Sequence, residues 1–139
     1  NERKVPAMAF FHMPPAEFKE AYEKMKLGDH TVIYEHGSIG EKDEYFGISN
    51  RPPHFFEKAV DNGWLKWIFC GHDHLNTLSL TYKGIRMTYG MSIDYLGYSG
   101  IAKQYIQRGA TLITRKTDGN IDITMVPLTT VVSTRVRGA

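Results

Sequence analysis

Two short apolar runs in the sequence each lead into a loop that carries histidine. Residues 5–11 are followed by His12, and residues 65–70 are followed by Gly71-His72-Asp73-His74. Runs of this length, bounded by glycine or proline, are typical of buried strands. If the two strands are parallel neighbours in one sheet, their carboxyl ends meet at the edge where open α/β sheets bind ligands. The sequence therefore predicts that His12 and His72 lie close together.

Apolar side chains at helical spacing predict two helices. In residues 15–26 they recur every three or four positions, as on one face of a helix. A second helix is predicted from about Pro52-Pro53 to Gly63, because proline suits a first turn and glycine a helix end. The side chains of this second helix that are predicted to face inward are Phe55, Phe56, Ala59 and Val60.

The other segments are predicted to be loops and hairpins. Residues 27–50 combine glycines and mixed charges without a period, which predicts a long surface loop with one short strand at residues 31–34. Long loops in compact domains are often functional. Two hairpins, each closed by a turn that contains glycine, are predicted from residues 77–82 with 85–89 and from residues 111–115 with 121–126.

Composition narrows the class of protein. A chain of 139 residues with 42% apolar residues can bury one core, and we expect one domain over residues 1–128 and a patternless, disordered tail at 129–139. The net charge of +2 carries no signal for nucleic acid or a membrane surface. The single cysteine, Cys70, argues against a disulfide framework or a cysteine-based zinc module. No apolar stretch approaches the roughly 20 residues that span a bilayer.

The Gly71-His72-Asp73-His74 segment suggests metal chemistry. We expect Gly71 to allow a turn that a side chain would obstruct, and the His-x-His spacing projects two rings toward one side of an extended backbone. Imidazole binds zinc, iron, nickel and copper and tolerates manganese, so the ligands alone leave the metal open. The alternative is that these histidines are hydrogen-bonded or exposed. Exposed positions without a role are predicted for His30, His36 and His54.

Two segments that contain histidine resemble motifs of a known family. An apolar strand followed by Phe10-Phe11-His12-Met13-Pro14, and later Phe69-Cys70-Gly71-His72-Asp73-His74, are similar to two motifs of the calcineurin-like metallophosphoesterase superfamily, in its purple-acid-phosphatase-like branch. Order and spacing agree with that pattern. The resemblance continues through Asn76, Tyr89-Gly90, residues 97–100 and residues 108–110.

The resemblance implies a fold, a cofactor and roles for the matching residues. The fold would be mixed α/β, the C-terminal half of a four-layer α/β/β/α sandwich. His12 and His72 would bind one metal and His74 a second, both ions being manganese, iron, zinc or similar. The pair of metals would hydrolyse a phosphate ester by an activated hydroxide. Asp73 would orient a neighbouring group or cap the turn, while Asn76 and Tyr98 would support the ligands or line the substrate mouth, although packing is the alternative for the tyrosine.

The family's upstream motifs do not occur ahead of His12, and Gly28-Asp29-His30, which superficially resembles them, lies downstream in a predicted loop and is interpreted as chance. Those motifs, Asp-x-His, Gly-Asp and Gly-Asn-His-Asp/Glu, supply the bridging aspartate, an asparagine ligand and the histidine that assists the leaving group, so the expected proton donor is not in this chain. Three hypotheses follow. The chain is part of a phosphohydrolase and needs the N-terminal half of the same domain as its partner; or it is an inactive metal-binding or interaction fragment, prone to self-association; or it is an α/β binding module with structural histidines.

Overall fold

The structure, a computed structural model, describes residues 5–48, 54–98 and 108–128. The predicted tail at 129–139 lies outside the described residues. The chain forms two compact units, Asn1–Gly90 and Met91–Ala139. The described elements are, in chain order, β1 (Ala7–Phe11), α1 (Ala16–Lys26), β2 (Val32–His36), a 3₁₀ turn (Lys42–Glu44), α2 (His54–Asn62), β3 (Leu65–Cys70), β4 (Ser79–Tyr82), β5 (Ile85–Tyr89), β6 (Gly109–Arg115) and β7 (Ile121–Pro127).

The first unit is built on a mixed sheet. Its described strands follow the order β1-β3-β5-β4-β2. β1, β3 and β5 are parallel, while β4 runs antiparallel to both β5 and β2. The mixed α/β class predicted from the sequence is confirmed. Among the described residues no helix is both long and apolar enough to cross a membrane.

The pairing of β1 with β3 sets the position of the two histidine-bearing loops. Phe10 pairs with Phe69 and Phe11 with Cys70 in parallel register. The ladder continues past both strand ends, because the Gly71 N–H donates to the His12 carbonyl at 3.1 Å. The prediction that the two apolar runs are parallel neighbours is confirmed.

Both helices pack on the same face of this sheet. Phe18 of α1 stacks on Tyr89 of β5 with ring centroids 4.9 Å apart, and Phe56 of α2 stacks on Tyr82 of β4 at 6.3 Å. Side chains at alternate positions of the strands meet them, as the period of two in a strand requires. The fully buried members of this core include Phe18, Ala21, Ile68, Leu80, Met87 and Tyr89.

Helix α2 differs in part from its prediction. Phe56 and Ala59 are buried as predicted, but the prediction that Phe55 faces inward is wrong, since its side chain is half exposed. Phe55 instead meets Phe11 at the end of β1 edge to face, with centroids 5.1 Å apart. The cause is that consecutive helix positions point about 100° apart, so Phe55 and Phe56 do not share the buried stripe.

Residues 27–48 are more ordered than predicted. The strand expected at residues 31–34 extends to His36, because Val32, Ile33 and Tyr34 pair with β4 and a bulge admits His36 opposite Ser79. His36 is consequently half-buried, so its prediction as an exposed histidine is wrong, while that for His30 is confirmed. Burial and then the charge of Arg86 lower the pKa of His36.

The second unit contains a regular hairpin, as predicted. β6 and β7 pair from Gly109 with Pro127 to Arg115 with Ile121. Gly119 closes the turn with φ +89°, a conformation that glycine adopts at little cost. The expectation of a single domain over residues 1–128 stays a prediction.

Glu17, in the first turn of α1, is a buried carboxyl group. Burial raises its pKa, and the charges of Glu20 and Glu57 add to this. A carboxyl whose folded-state pKa is raised favours folding only when protonated, so it costs stability as the pH rises through that pKa. We expect Glu17→Gln to raise the Tm at pH 7 and the gain to shrink at pH 4. Thermal unfolding followed by circular dichroism checks this. The exposed Glu23→Gln is the control, and an equal gain from it would contradict the explanation.

Candidate metal centre

The loops after β1 and β3 bring two histidines into contact. His72 Nδ1 lies 3.2 Å from His12 Nε2. The ring centroids are 5.1 Å apart and the ring planes are inclined at 76°. Both side chains are exposed to solvent at the carboxyl ends of neighbouring parallel strands. The structure therefore places together the two residues that the resemblance assigned to one metal.

The turn between β3 and the histidines depends on His72 and not on Gly71. His72 has φ +70°, in the left-handed region that non-glycine residues seldom adopt. A Cβ on Gly71 would meet nothing closer than the His12 carbonyl oxygen at 3.8 Å, which is ordinary contact. The expectation that a side chain at Gly71 would obstruct the turn is wrong. The strained residue is the histidine itself, and strain of this kind concentrates at functional sites.

The spacing of the two nitrogens suits a shared metal ion. Two nitrogens bound tetrahedrally to zinc at about 2.05 Å lie about 3.3 Å apart, close to the observed 3.2 Å. The same spacing allows a hydrogen bond in which one ring donates to the other. His12 Nε2 and His72 Nδ1 are thus spaced as two nitrogen ligands of one metal ion would be.

His74 does not complete this pair. It lies half-buried in the turn that follows His72. In the ranges 5–48, 54–98 and 108–128, no group of three or more His, Cys, Asp or Glu side chains is arranged to hold a metal. Among the described residues, two imidazoles therefore meet at one point, and neither His74 nor a carboxylate joins them in a metal-holding group.

Asp73 connects the histidines to the core. Its carboxylate is buried and accepts the Gly47 N–H at 2.9 Å and the Tyr89 O–H at 2.6 Å. Burial and this hydrogen bond raise the pKa of Tyr89, so the phenol stays protonated and remains the donor. Because Tyr89 also stacks on Phe18, Asp73 fixes the backbone beside His72 against the helix–sheet interface.

Hydrogen bonds of Asn76 connect the loop that carries His72 to a second loop. We call residues 71–77 the histidine loop and residues 37–47 the clamp loop. The fully buried Asn76 amide accepts the N–H groups of Gly40 and Glu41 at 3.0 and 3.1 Å and donates to the Tyr45 carbonyl at 3.1 Å. The Leu75 N–H in turn donates to the Glu41 carboxylate. The two loops therefore satisfy each other's polar groups.

Three glycines let the clamp loop approach this closely. A Cβ on Gly37 would lie 2.0 Å from the Thr77 carbonyl oxygen, and one on Gly40 would lie 2.4 Å from that of Leu75. A Cβ on Gly47 would lie 2.0 Å from Cδ2 of His72. Sequence reasoning did not identify these glycines or Glu41 as part of the site. The available signal was the recurrence of glycine in a long loop, which marks close backbone approach.

The remaining predicted site residue lies in the other unit. Tyr98 is exposed at the end of the described segment 91–98, and part of the predicted loop 97–100 lies outside the described residues. Its assignment to a substrate mouth stays a prediction. Tyr89, which belongs to another segment that the resemblance covers, is fully buried and donates its O–H to Asp73.

The chain is similar to part of several purple acid phosphatase-like proteins of Arabidopsis thaliana. It is 28% identical over 98 residues to the probable inactive purple acid phosphatase 29, and 32% identical over 93 residues to the probable inactive purple acid phosphatase 28. These matches cover 70% and 67% of this chain but 22% and 20% of the relatives. A third relative, the probable inactive purple acid phosphatase 14, is 38% identical over 47 residues.

The chain thus spans about a fifth of the length of the first two relatives. No protein-family model matches it, and no solved structure matches it. The relatives suggest the purple acid phosphatase family, and their names describe them as inactive. The coverage agrees with a piece of a larger protein of that type.

The left-handed backbone conformation of His72 leads to a prediction about stability. His72→Ala keeps the strained φ, whereas His72→Gly relieves it at some cost in unfolded-state entropy. We expect the glycine variant to be more stable than the alanine variant by up to about 1 kcal/mol, measured by urea denaturation. An alanine variant at least as stable as the glycine variant would contradict a strained His72.

The buried carboxylate of Asp73 leads to a second prediction about stability. Asp73→Ala leaves the Gly47 N–H and the Tyr89 O–H without their buried acceptor, which costs about 1–3 kcal/mol for each donor. Tyr89→Phe removes one of these bonds and should cost less. The double variant is expected to lose less than the sum, since the two residues share a bond. Additive losses in urea denaturation would show that this bond is not made.

Proposed function

We propose that this chain is the C-terminal part of a metal-dependent phosphohydrolase whose complete centre holds two metal ions. The observation that carries the proposal is the pair His12 Nε2 and His72 Nδ1, 3.2 Å apart at the ends of adjacent parallel strands. The similarity to purple acid phosphatase-like proteins supports the reaction class. The substrate would be a phosphate ester.

Within this proposal, the chain's own residues hold and orient ligands. His12 and His72 would bind one ion, and His74 is the candidate ligand of the other. Bound manganese, iron or zinc would supply an acidified water and neutralise the phosphate charge. Asp73 and Asn76 would keep the histidine loop fixed through Gly47 and the clamp loop, so that the two ligands stay in place when a metal binds.

The remaining ligands and the proton donor would come from the N-terminal half of the same domain. The exposure of the edge strand β1 supports the proposal that such a partner exists. Parallel strands are normally covered on both faces, yet Met8, Phe10 and Phe11 are exposed on β1 and one side of the strand has no partner among the described residues. A further strand placed there would extend the sheet toward the four-layer sandwich. In its absence the same surface favours self-association.

An inactive metal-binding or interaction protein is the second candidate. Two observations favour it: the relatives are named as inactive, and the described residues bring together two ligands only. In both candidates the histidine pair binds metal, but only in the first does the complete protein hydrolyse a phosphate ester.

Zinc titration tests the shared part of the proposal. We expect isothermal titration at pH 7.5 to show one Zn²⁺ site per chain that is lost in His12→Ala, because one imidazole alone is a weak ligand. His54→Ala removes an exposed histidine on α2 and should bind as the unchanged protein does. Equal Zn²⁺ binding by the unchanged protein and His12→Ala would contradict the assignment.

Hydrolysis separates the two candidates. A polypeptide that joins this chain to the preceding half of a purple acid phosphatase-like domain should hydrolyse p-nitrophenyl phosphate only with metal, and His72→Ala should abolish the activity. The chain alone should show none, since carboxylate ligands and a proton donor are missing. Metal loading without hydrolysis in the joined polypeptide would favour the inactive candidate.

A further inference from the structure

Gly47 lies flat against one edge of the His72 ring. A Cβ on Gly47 would be 2.0 Å from His72 Cδ2 and 2.5 Å from Nε2, far inside contact distance. No rotation of a methyl group relieves such overlaps, so either the ring or the clamp loop would have to move. The backbone at Gly47 therefore forms a wall beside the imidazole.

Contacts of Gly47 and of the preceding residue hold this wall in place. The Gly47 N–H donates to the buried Asp73 carboxylate at 2.9 Å. The preceding residue, Phe46, is 4% exposed and contacts the rings of Phe18 and Tyr89 with centroids 5.9 and 6.0 Å away. Since Phe46 belongs to the core, the wall moves only if the core opens.

The wall limits where the His72 ring can lie. Gly47 covers the edge formed by Cδ2 and Nε2, and Nδ1, on the other side of the ring, lies 3.2 Å from His12 Nε2. A ring turned by 180° has almost the same shape and would also fit against Gly47, so the contact with His12, and not the wall, selects between the two ring orientations. The contact with Gly47 keeps the ring beside His12, because a tilt toward the clamp loop would bring the ring into its backbone.

We infer that Gly47 is a positioning residue for the histidine pair, whose close packing keeps the His72 ring within reach of His12. The inference rests on the proposed function for its purpose, because a ring held in place matters when Nδ1 must bind a metal. Gly47 lies 25 positions upstream of His72, in a loop that the two histidine-containing motifs do not include. Displacing such supporting groups typically weakens metal binding about 10- to 100-fold.

Gly28→Ala is the control for Gly47→Ala. Gly28 lies in the turn after α1 with φ +80°, so alanine there strains the backbone, but its methyl group would meet nothing within 4 Å. The methyl group at Gly47 would instead meet the His72 ring. If Gly47→Ala acts only by lowering the stability of the fold, both variants should behave alike.

The experiment measures the rings directly in the metal-free chain. Long-range ¹H–¹⁵N spectra and ring-to-ring nuclear Overhauser effects report the tautomer of His72 and its contact with His12. We expect Gly47→Ala to shift the ¹⁵N signals of His72 and remove its contact with His12, while Gly28→Ala leaves both unchanged. Zn²⁺ titration should then show about 10- to 100-fold weaker binding for Gly47→Ala alone.

The outcomes separate this inference from the proposed function. An unchanged His12–His72 contact in Gly47→Ala overturns the positioning role. A lost contact in Gly47→Ala, in a chain whose unchanged form binds no Zn²⁺, supports the positioning role and counts against the metal site. If Gly47→Ala does not fold, Phe46→Leu loosens the wall without adding atoms. Its His12–His72 contact should weaken while the ring signals of His54 stay in place, and an unchanged contact there overturns the inference.

Discussion

The parallel ladder between β1 and β3 is the interaction on which the rest of the site depends. Backbone hydrogen bonds set the register of Phe11 with Cys70, and one more bond, from Gly71 to the His12 carbonyl, extends that register into the loops. Two side chains that are 60 positions apart in sequence thereby meet at 3.2 Å. A change of one residue in this register would move His12 by more than 3 Å, so the strands themselves determine the spacing of the histidines.

A second level of order comes from buried polar groups. Asp73 and Asn76 lie within the histidine loop, are buried, and accept hydrogen bonds from backbone N–H groups of the clamp loop. Such buried hydrogen bonds are costly to leave unmade, so the two loops are expected to form together. The exposed histidines rest on this rigid support, and the left-handed conformation of His72 is maintained by it.

Local signals in the sequence predicted most elements of the fold. Strand β3 and the first hairpin follow from apolar runs bounded by glycine, and the pairing of β1 with β3 follows from their shared pattern. What sequence reasoning missed is non-local. The clamp loop has no period of its own because its order comes from contacts some 35 positions away, such as Glu41 with Asn76. The turn at His72 was attributed to the neighbouring glycine, since residue type alone does not reveal which backbone is left-handed.

Anomalous diffraction at the zinc absorption edge, from crystals of the protein soaked in Zn²⁺, would show directly whether the histidine pair binds a metal ion. We expect a peak about 2.0–2.1 Å from both His12 Nε2 and His72 Nδ1. Zinc bound elsewhere, with the two rings still in contact and no peak at them, would contradict it. The histidine pair would then be a structural hydrogen bond, and the chain would bind no metal at this point.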